Sequence, residues 1–174
     1  MSGAEFLGKR YKLFSSENFD DFMKALGASD TSNRTFGMSS EMLTGILGKR
    51  YKLHSSDKFD EYMKSLGVGL MTRKMGSSVS PVIEMTEKDG TYTLKTTSPF
   101  KSTEIKFKLG EEFDEETADG RKVKSVCTLE NNKLIQVQKG DKDTTIEREF
   151  TPTEIKAIMK VDDIVCTRVY KVQE

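Results

Sequence analysis

From residue 81 to 173, apolar and polar side chains alternate in short runs, broken roughly every eight to twelve positions by turn-forming residues. The breaks fall at Lys88-Asp89-Gly90, Ser98-Pro99, Leu109-Gly110, Asp119-Gly120, Asn131-Asn132, Gly140-Asp141 and Asp162-Asp163. Asp-Gly and Asn-rich pairs tolerate the positive φ that tight hairpins demand. Between the breaks, runs such as TYTLKT at 91–96 and KLIQVQ at 133–138 are rich in strand-forming residues. Consecutive hairpins with no helix between them predict a mainly β fold, an up-and-down antiparallel meander. A meander of this length is best relieved of its exposed edges by closing into a barrel.

Ahead of the meander the period changes. Phe59, Tyr62, Met63 and Leu66 fall on one helical face, and Gly67 supplies a stop signal. A second short amphipathic stretch runs from Leu70 to about Ser77. A helix pair after a first strand, followed by a β-meander, suggests a lid over a barrel mouth.

An internal repeat is the strongest organisational feature. Residues 6–27, FLGKRYKLFSSENFDDFMKALG, recur forty positions later as residues 46–67, ILGKRYKLHSSDKFDEYMKSLG. Two units do not make a solenoid, which needs three or more to bury a core. Residues 28–44 are rich in Ser, Thr and Gly and read as a linker. The chain therefore divides into residues 1–44, a mobile duplicated strand-helix segment with its linker, and residues 45–174, the barrel domain. Of the two copies, the second is expected to occupy the barrel, because it runs straight into the second lid helix.

Composition narrows the function classes. Lys+Arg and Asp+Glu number 28 each, so no net field draws the chain to nucleic acid. No apolar run approaches the roughly 20 residues of a membrane helix. The start MSGAEFLGKRYKLF has neither the apolar core of a signal peptide nor a glycine directly after Met1, so secretion and myristoylation are not expected. Cys127 and Cys166 lie in separate strand-like segments, and the chain has one histidine, His54. Reduced, buried thiols are expected rather than a disulfide or metal site, and His54 reads as surface decoration. No Ser-His-Asp, Cys-His or paired-carboxylate constellation suggests a catalytic residue. The acidic cluster Glu111, Glu112, Asp114, Glu115 and Glu116 is expected to face water.

Strand parity isolates two arginines. In residues 144–150, Ile146, Arg148 and Phe150 share a face. In residues 164–170, Ile164, Cys166, Arg168 and Tyr170 do the same. An isolated guanidinium in an apolar interior costs several kcal/mol and needs an anion or a hydrated cavity. Two inward arginines with a phenol would form a carboxylate clamp, since the guanidinium fork suits bidentate pairing. Parity alone leaves the alternative open, because the opposite face of the last strand is also apolar and its arginine could be solvated.

Three runs stand out: GKRYKLHSSDKFDEYMKSLGVG at 48–69, FKSTEIKFKLGEEFDEETADGRKVKS at 100–125 and CTRVY at 166–170. The first resembles the N-terminal signature, and the second the centre, of the intracellular lipid-binding (calycin) family. On these motifs, residues 46–173 resemble a complete fatty-acid-binding protein. Where the family has Asn before Phe-Asp, the second copy has Lys58, which cannot accept from an orphan helix N–H; Asp57 is the alternative cap. The first copy keeps the family residue, Asn18.

The resemblance implies a ten-stranded antiparallel barrel with a two-helix lid and a non-enzymatic carrier without cofactors. Its ligand would be a long-chain fatty acid, its state monomeric and its location cytoplasmic, extending to the nucleus. The family's carboxylate residues fall on Arg148, Arg168 and Tyr170. Its chain and portal contacts fall on Phe59, Met63, Thr72, Gly76, Pro81, Phe100, Ala118, Asp119, Gln138, Ala157 and Met159, each of which also suits an ordinary core or turn position. Lys64, Arg73 and Lys74 would form either a solvated helix face or a basic patch meeting membranes or a nuclear receptor. A retinoic-acid carrier and a protein-interaction module built on the extra segment are the competing functions.

Overall fold

The computed structural model describes residues 40–173. The first repeat copy, including the helix expected at 18–26, and most of the expected linker lie outside the described residues. The elements are α1 (Ser40–Ile46), β1 (Arg50–Asp57), α2 (Phe59–Ser65), α3 (Leu70–Ser78), β2 (Val82–Lys88), β3 (Thr91–Thr97), β4 (Thr103–Phe107), β5 (Phe113–Glu116), β6 (Lys122–Glu130), β7 (Lys133–Lys139), β8 (Thr144–Phe150), β9 (Glu154–Val161) and β10 (Ile164–Val172).

All ten strands form one antiparallel sheet in the order β4-β3-β2-β1-β10-β9-β8-β7-β6-β5. Each strand pairs with its neighbour in sequence, except that β1 also pairs with β10 and that β4 and β5 do not pair. The result is a nearly closed barrel with one seam. The turn expectations hold: Asp89, Gly90, Gly110, Gly120, Asn131 and Asp162 all have positive φ. One break went unread. Thr151-Pro152-Thr153 separates β8 from β9, where the Thr151 hydroxyl accepts from the backbone N–H of Thr153 and of Glu154.

The seam between β4 and β5 lacks a hydrogen-bond ladder and is spanned by rings. Tyr92, Phe107 and Phe113 stack in series, with centroids 5.7 and 5.9 Å apart. The backbone N–H of Gly110 also donates to the Cys127 carbonyl at 2.9 Å.

α1 corrects the linker reading, because residues 40–44 belong to a helix. Ile46 is fully buried, and Leu43 and Leu47 pack on the main core cluster. The backbone N–H of Gly48 donates to the Met85 carbonyl, and the Lys49 ammonium donates to the Pro152 carbonyl.

The lid pair forms as expected. Lys58 stands at the N-cap of α2 with φ 60° and no side-chain cap, and among the described residues no backbone N–H donates to Asp57 in its place. Gly67 ends that turn at φ 81°. Tyr62, Met63 and Val68 are buried with Val161 and Cys166, which seats α2 on β9 and β10. α3 approaches through Gly76, where an added Cβ would lie 3.3 Å from Met63 Sδ. Among the described residues, no helix is long and apolar enough to cross a membrane.

Candidate functional site

Strand register brings the two arginines together. Arg148 on β8 and Arg168 on β10 both pair with Ala157 on β9, so they stand at one level with only a methyl group between them. Their faces are inward: Ile146, Phe150, Cys166 and Tyr170 are buried, while Val165 on the other face of β10 is exposed. Side-chain burial thus resolves the alternative that parity left open.

Arg168 is 4 % exposed. Its guanidinium carbon lies 3.7 Å from the centroid of Phe59 and 5.9 Å from that of Tyr170. Among the described residues its Nε has no hydrogen-bond partner, and no carboxylate forms an ion pair with it. The ring face of Phe59 supplies a cation–π contact of about 2 kcal/mol when desolvated, which does not replace a missing acceptor. A cleft of ≈ 250 Å³ beside it is lined by Leu53, Ser56, Phe59, Ser77 and Arg168 among others.

Arg148 has a different setting. Its Nη1 donates to Gln136 Oε1 at 2.8 Å, and Gln136 Nε2 donates to Glu115 Oε2 at 2.8 Å. The same carboxylate oxygen accepts from Ser125 Oγ at 2.6 Å and Gln138 Nε2 at 3.0 Å. Gln138 Oε1 accepts from Thr144 Oγ1 at 2.6 Å. At the end of the line, burial pushes the Tyr62 phenol up to about 12, against a lowering hydrogen bond to Thr144. A continuous polar wall therefore runs from the lid helix across β8, β7 and β6 to β5.

Sequence reasoning missed most of that wall, and placed Glu115 in water. The correction has a simple basis. Glu115 lies two residues from Phe113 and shares its face, so parity carries its carboxylate inward, while Asp114 and Glu116 are exposed. The same alternation places Ser125, Gln136 and Thr144 among the buried residues.

The remaining expected contacts are distributed around the lid and rims. Phe59 and Met63 face the interior from α2, and Gly76 lies against both. Thr72 is half-buried on α3. The Pro81 carbonyl accepts from the Leu53 N–H at 2.9 Å. Phe100 is 43 % exposed in the β3–β4 connection, near in sequence to no other exposed ring. Ala118 and Asp119 form the β5–β6 turn, with Ala118 exposed. Burial alone would raise the Asp119 carboxyl, but hydrogen bonds from Arg121 at 2.7 Å and Thr117 at 2.7 Å hold it below its ordinary value. Gln138 belongs to the polar wall, Ala157 separates the arginines, and Met159 pairs with both Ile146 and Cys166.

Arg73 is tied down by Asp60 at 3.1 Å and by the Val68 carbonyl at 2.7 Å, whereas Lys64 and Lys74 are exposed. His54 is exposed. Cys127 and Cys166 are free and fully buried, and burial pushes their thiols up to about 12 and about 11. They are thus inert thiols of the barrel interior.

The sequence model of the lipocalin / cytosolic fatty-acid binding protein family matches residues 47–173. The chain belongs to this family. A muscle fatty acid-binding protein of Schistocerca gregaria is 50 % identical over 171 residues, covering 97 % of this chain and 98 % of the relative. A fatty acid-binding protein from Drosophila melanogaster brain tissue is 61 % identical in its crystal structure, with a TM-score of 0.70 over 72 % of this chain and 98 % of that one. A Schistosoma mansoni fatty acid binding protein, solved in complex with arachidonic acid, is 38 % identical with a TM-score of 0.73, covering 76 % and 99 %. The family match begins at residue 47 and so takes in the second repeat copy, not the first. Members of this family are carriers rather than enzymes.

Proposed function

We propose that this protein binds one long-chain fatty acid inside the barrel and carries it through the cytosol. The carboxylate pairs with Arg168 and Tyr170, and reaches Arg148 directly or through water. The hydrocarbon tail lies under the lid against Phe59 and Met63, and enters past Phe100. The observation that carries this reading is the buried Arg168 cation, which among the described residues lacks both an ion partner and an acceptor for Nε. A monoanionic head group supplies both at once. Leu70, Met71 and Met75 are exposed on α3, and with Lys74 beside them they suit contact with a membrane surface during transfer.

The barrel of this reading is built by the second repeat copy and works as a monomer. Because Leu43 packs on the core, this reading counts α1 with the barrel.

Competition against a bound fluorescent fatty acid tests the assignment. Oleate should displace the probe at lower concentration than all-trans retinoic acid, and the reverse order would assign a retinoid carrier. A chain lacking residues 1–39 should give the same oleate affinity and melting temperature as the full chain. Loss of either would place the first repeat copy in the working fold.

A further inference from the structure

The interior holds an anion that fatty-acid binding does not require. Glu115 Oε2 accepts three hydrogen bonds, from Ser125, Gln136 and Gln138, all neutral donors. Gln136 then connects this carboxylate to the Arg148 guanidinium, its carbonyl oxygen toward the cation and its amide nitrogen toward the anion. The reversed amide would set N–H against guanidinium and C=O against carboxylate, two repulsive contacts, so the orientation is fixed by its neighbours. Arg148 is therefore offset through one bridging side chain, and among the described residues Arg168 is not. At the rim, Arg121 pairs with Asp119 at 2.7 Å and cancels itself. Among the described residues, the three inward charges Arg148, Arg168 and Glu115 sum to one positive charge, on the Arg168 side.

We propose that Glu115 is a specificity-determining residue that sets the cavity to accept one negative charge, favouring monoanionic carboxylates over dianionic heads such as alkyl phosphates. This rests on the fatty-acid reading of the Arg148–Arg168–Tyr170 site. The physical lever is long-range and acts on charge rather than shape. A unit charge roughly 10 Å away in an effective dielectric of ~20 changes affinity about tenfold for each charge on the ligand. A neutral ligand of the same shape is indifferent to it.

Three ligands of equal chain length separate charge from packing: oleate, oleyl phosphate and methyl oleate, each titrated into the delipidated protein and into Glu115→Gln. The parent should bind oleate at least about tenfold more tightly than oleyl phosphate. Glu115→Gln, which preserves shape and an acceptor oxygen, should tighten oleate about tenfold and oleyl phosphate by a further factor of about ten, with methyl oleate unchanged. Equal changes for all three ligands would overturn the proposal, because a packing defect ignores ligand charge. A parent protein that prefers oleyl phosphate would overturn it without any variant having to fold. Failure of the parent to bind oleate at all would instead overturn the fatty-acid reading beneath it.

Discussion

Arg168→Leu is expected to weaken oleate binding by roughly 2 kcal/mol or more, about thirtyfold in Kd, and to leave the barrel folded. The guanidinium is buried and its Nε has no partner among the described residues, so in the ligand-free protein it carries an uncompensated desolvation cost. Leucine removes that cost and packs against Phe59. The cation–π contact with Phe59 at 3.7 Å is lost, which returns up to about 2 kcal/mol in the other direction. The two terms nearly offset, and the ligand-free melting temperature should hold or rise. With ligand present the balance is one-sided, because the carboxylate loses its main cation in an interior of low polarity. Titration calorimetry and a thermal melt on the same sample check both halves. Parent-like oleate affinity would remove Arg168 from the head-group site, and a melting temperature lower by several degrees would show that the cation stabilises the empty barrel.

Phe107→Ala is the second large effect, this time on stability, at about 3–5 kcal/mol. β4 and β5 form no ladder, so the seam is held by side chains. Phe107 is the middle ring of three, stacked on Tyr92 on one side and Phe113 on the other. Its removal leaves a cavity in the main core and breaks two aromatic contacts worth about 0.5–1.5 kcal/mol each beyond their area. At roughly 4 °C per kcal/mol for a domain of this size, the melting temperature should fall by about 10–20 °C. Phe107→Leu refills most of the space and should cost less than half as much. A loss below about 1 kcal/mol for the alanine variant would mean that the seam is held elsewhere, with the Gly110–Cys127 backbone bond as the next place to look.

The barrel was legible because its signals are local. Asp89-Gly90, Asn131-Asn132 and Asp162-Asp163 name their own turns, and the alternation between them names the faces. The break at Thr151-Pro152-Thr153 escaped notice because its turn is made by a threonine hydroxyl, and threonine is as common in strands as in turns. The juxtaposition of Arg148 and Arg168 was half-legible: parity groups each with apolar neighbours, but only register through Ala157 brings them to one level. Glu115 was the clearest miss. Its four acidic neighbours suggested a solvated edge, and charge density outweighed the alternation from Phe113 that carries it inward. α1 was missed for a different reason, since a stretch rich in Ser, Thr and Gly hides a short helix whose Leu43 and Ile46 are justified only by the core beneath them.

Calorimetry of the delipidated protein with oleate at several temperatures decides whether the barrel holds one fatty acid by its carboxylate. One chain should bind per monomer at micromolar or tighter affinity, with a negative heat-capacity change from burial of the tail. Absence of saturable binding, or recovery of the oleate hydrolysed or oxidised, would contradict it.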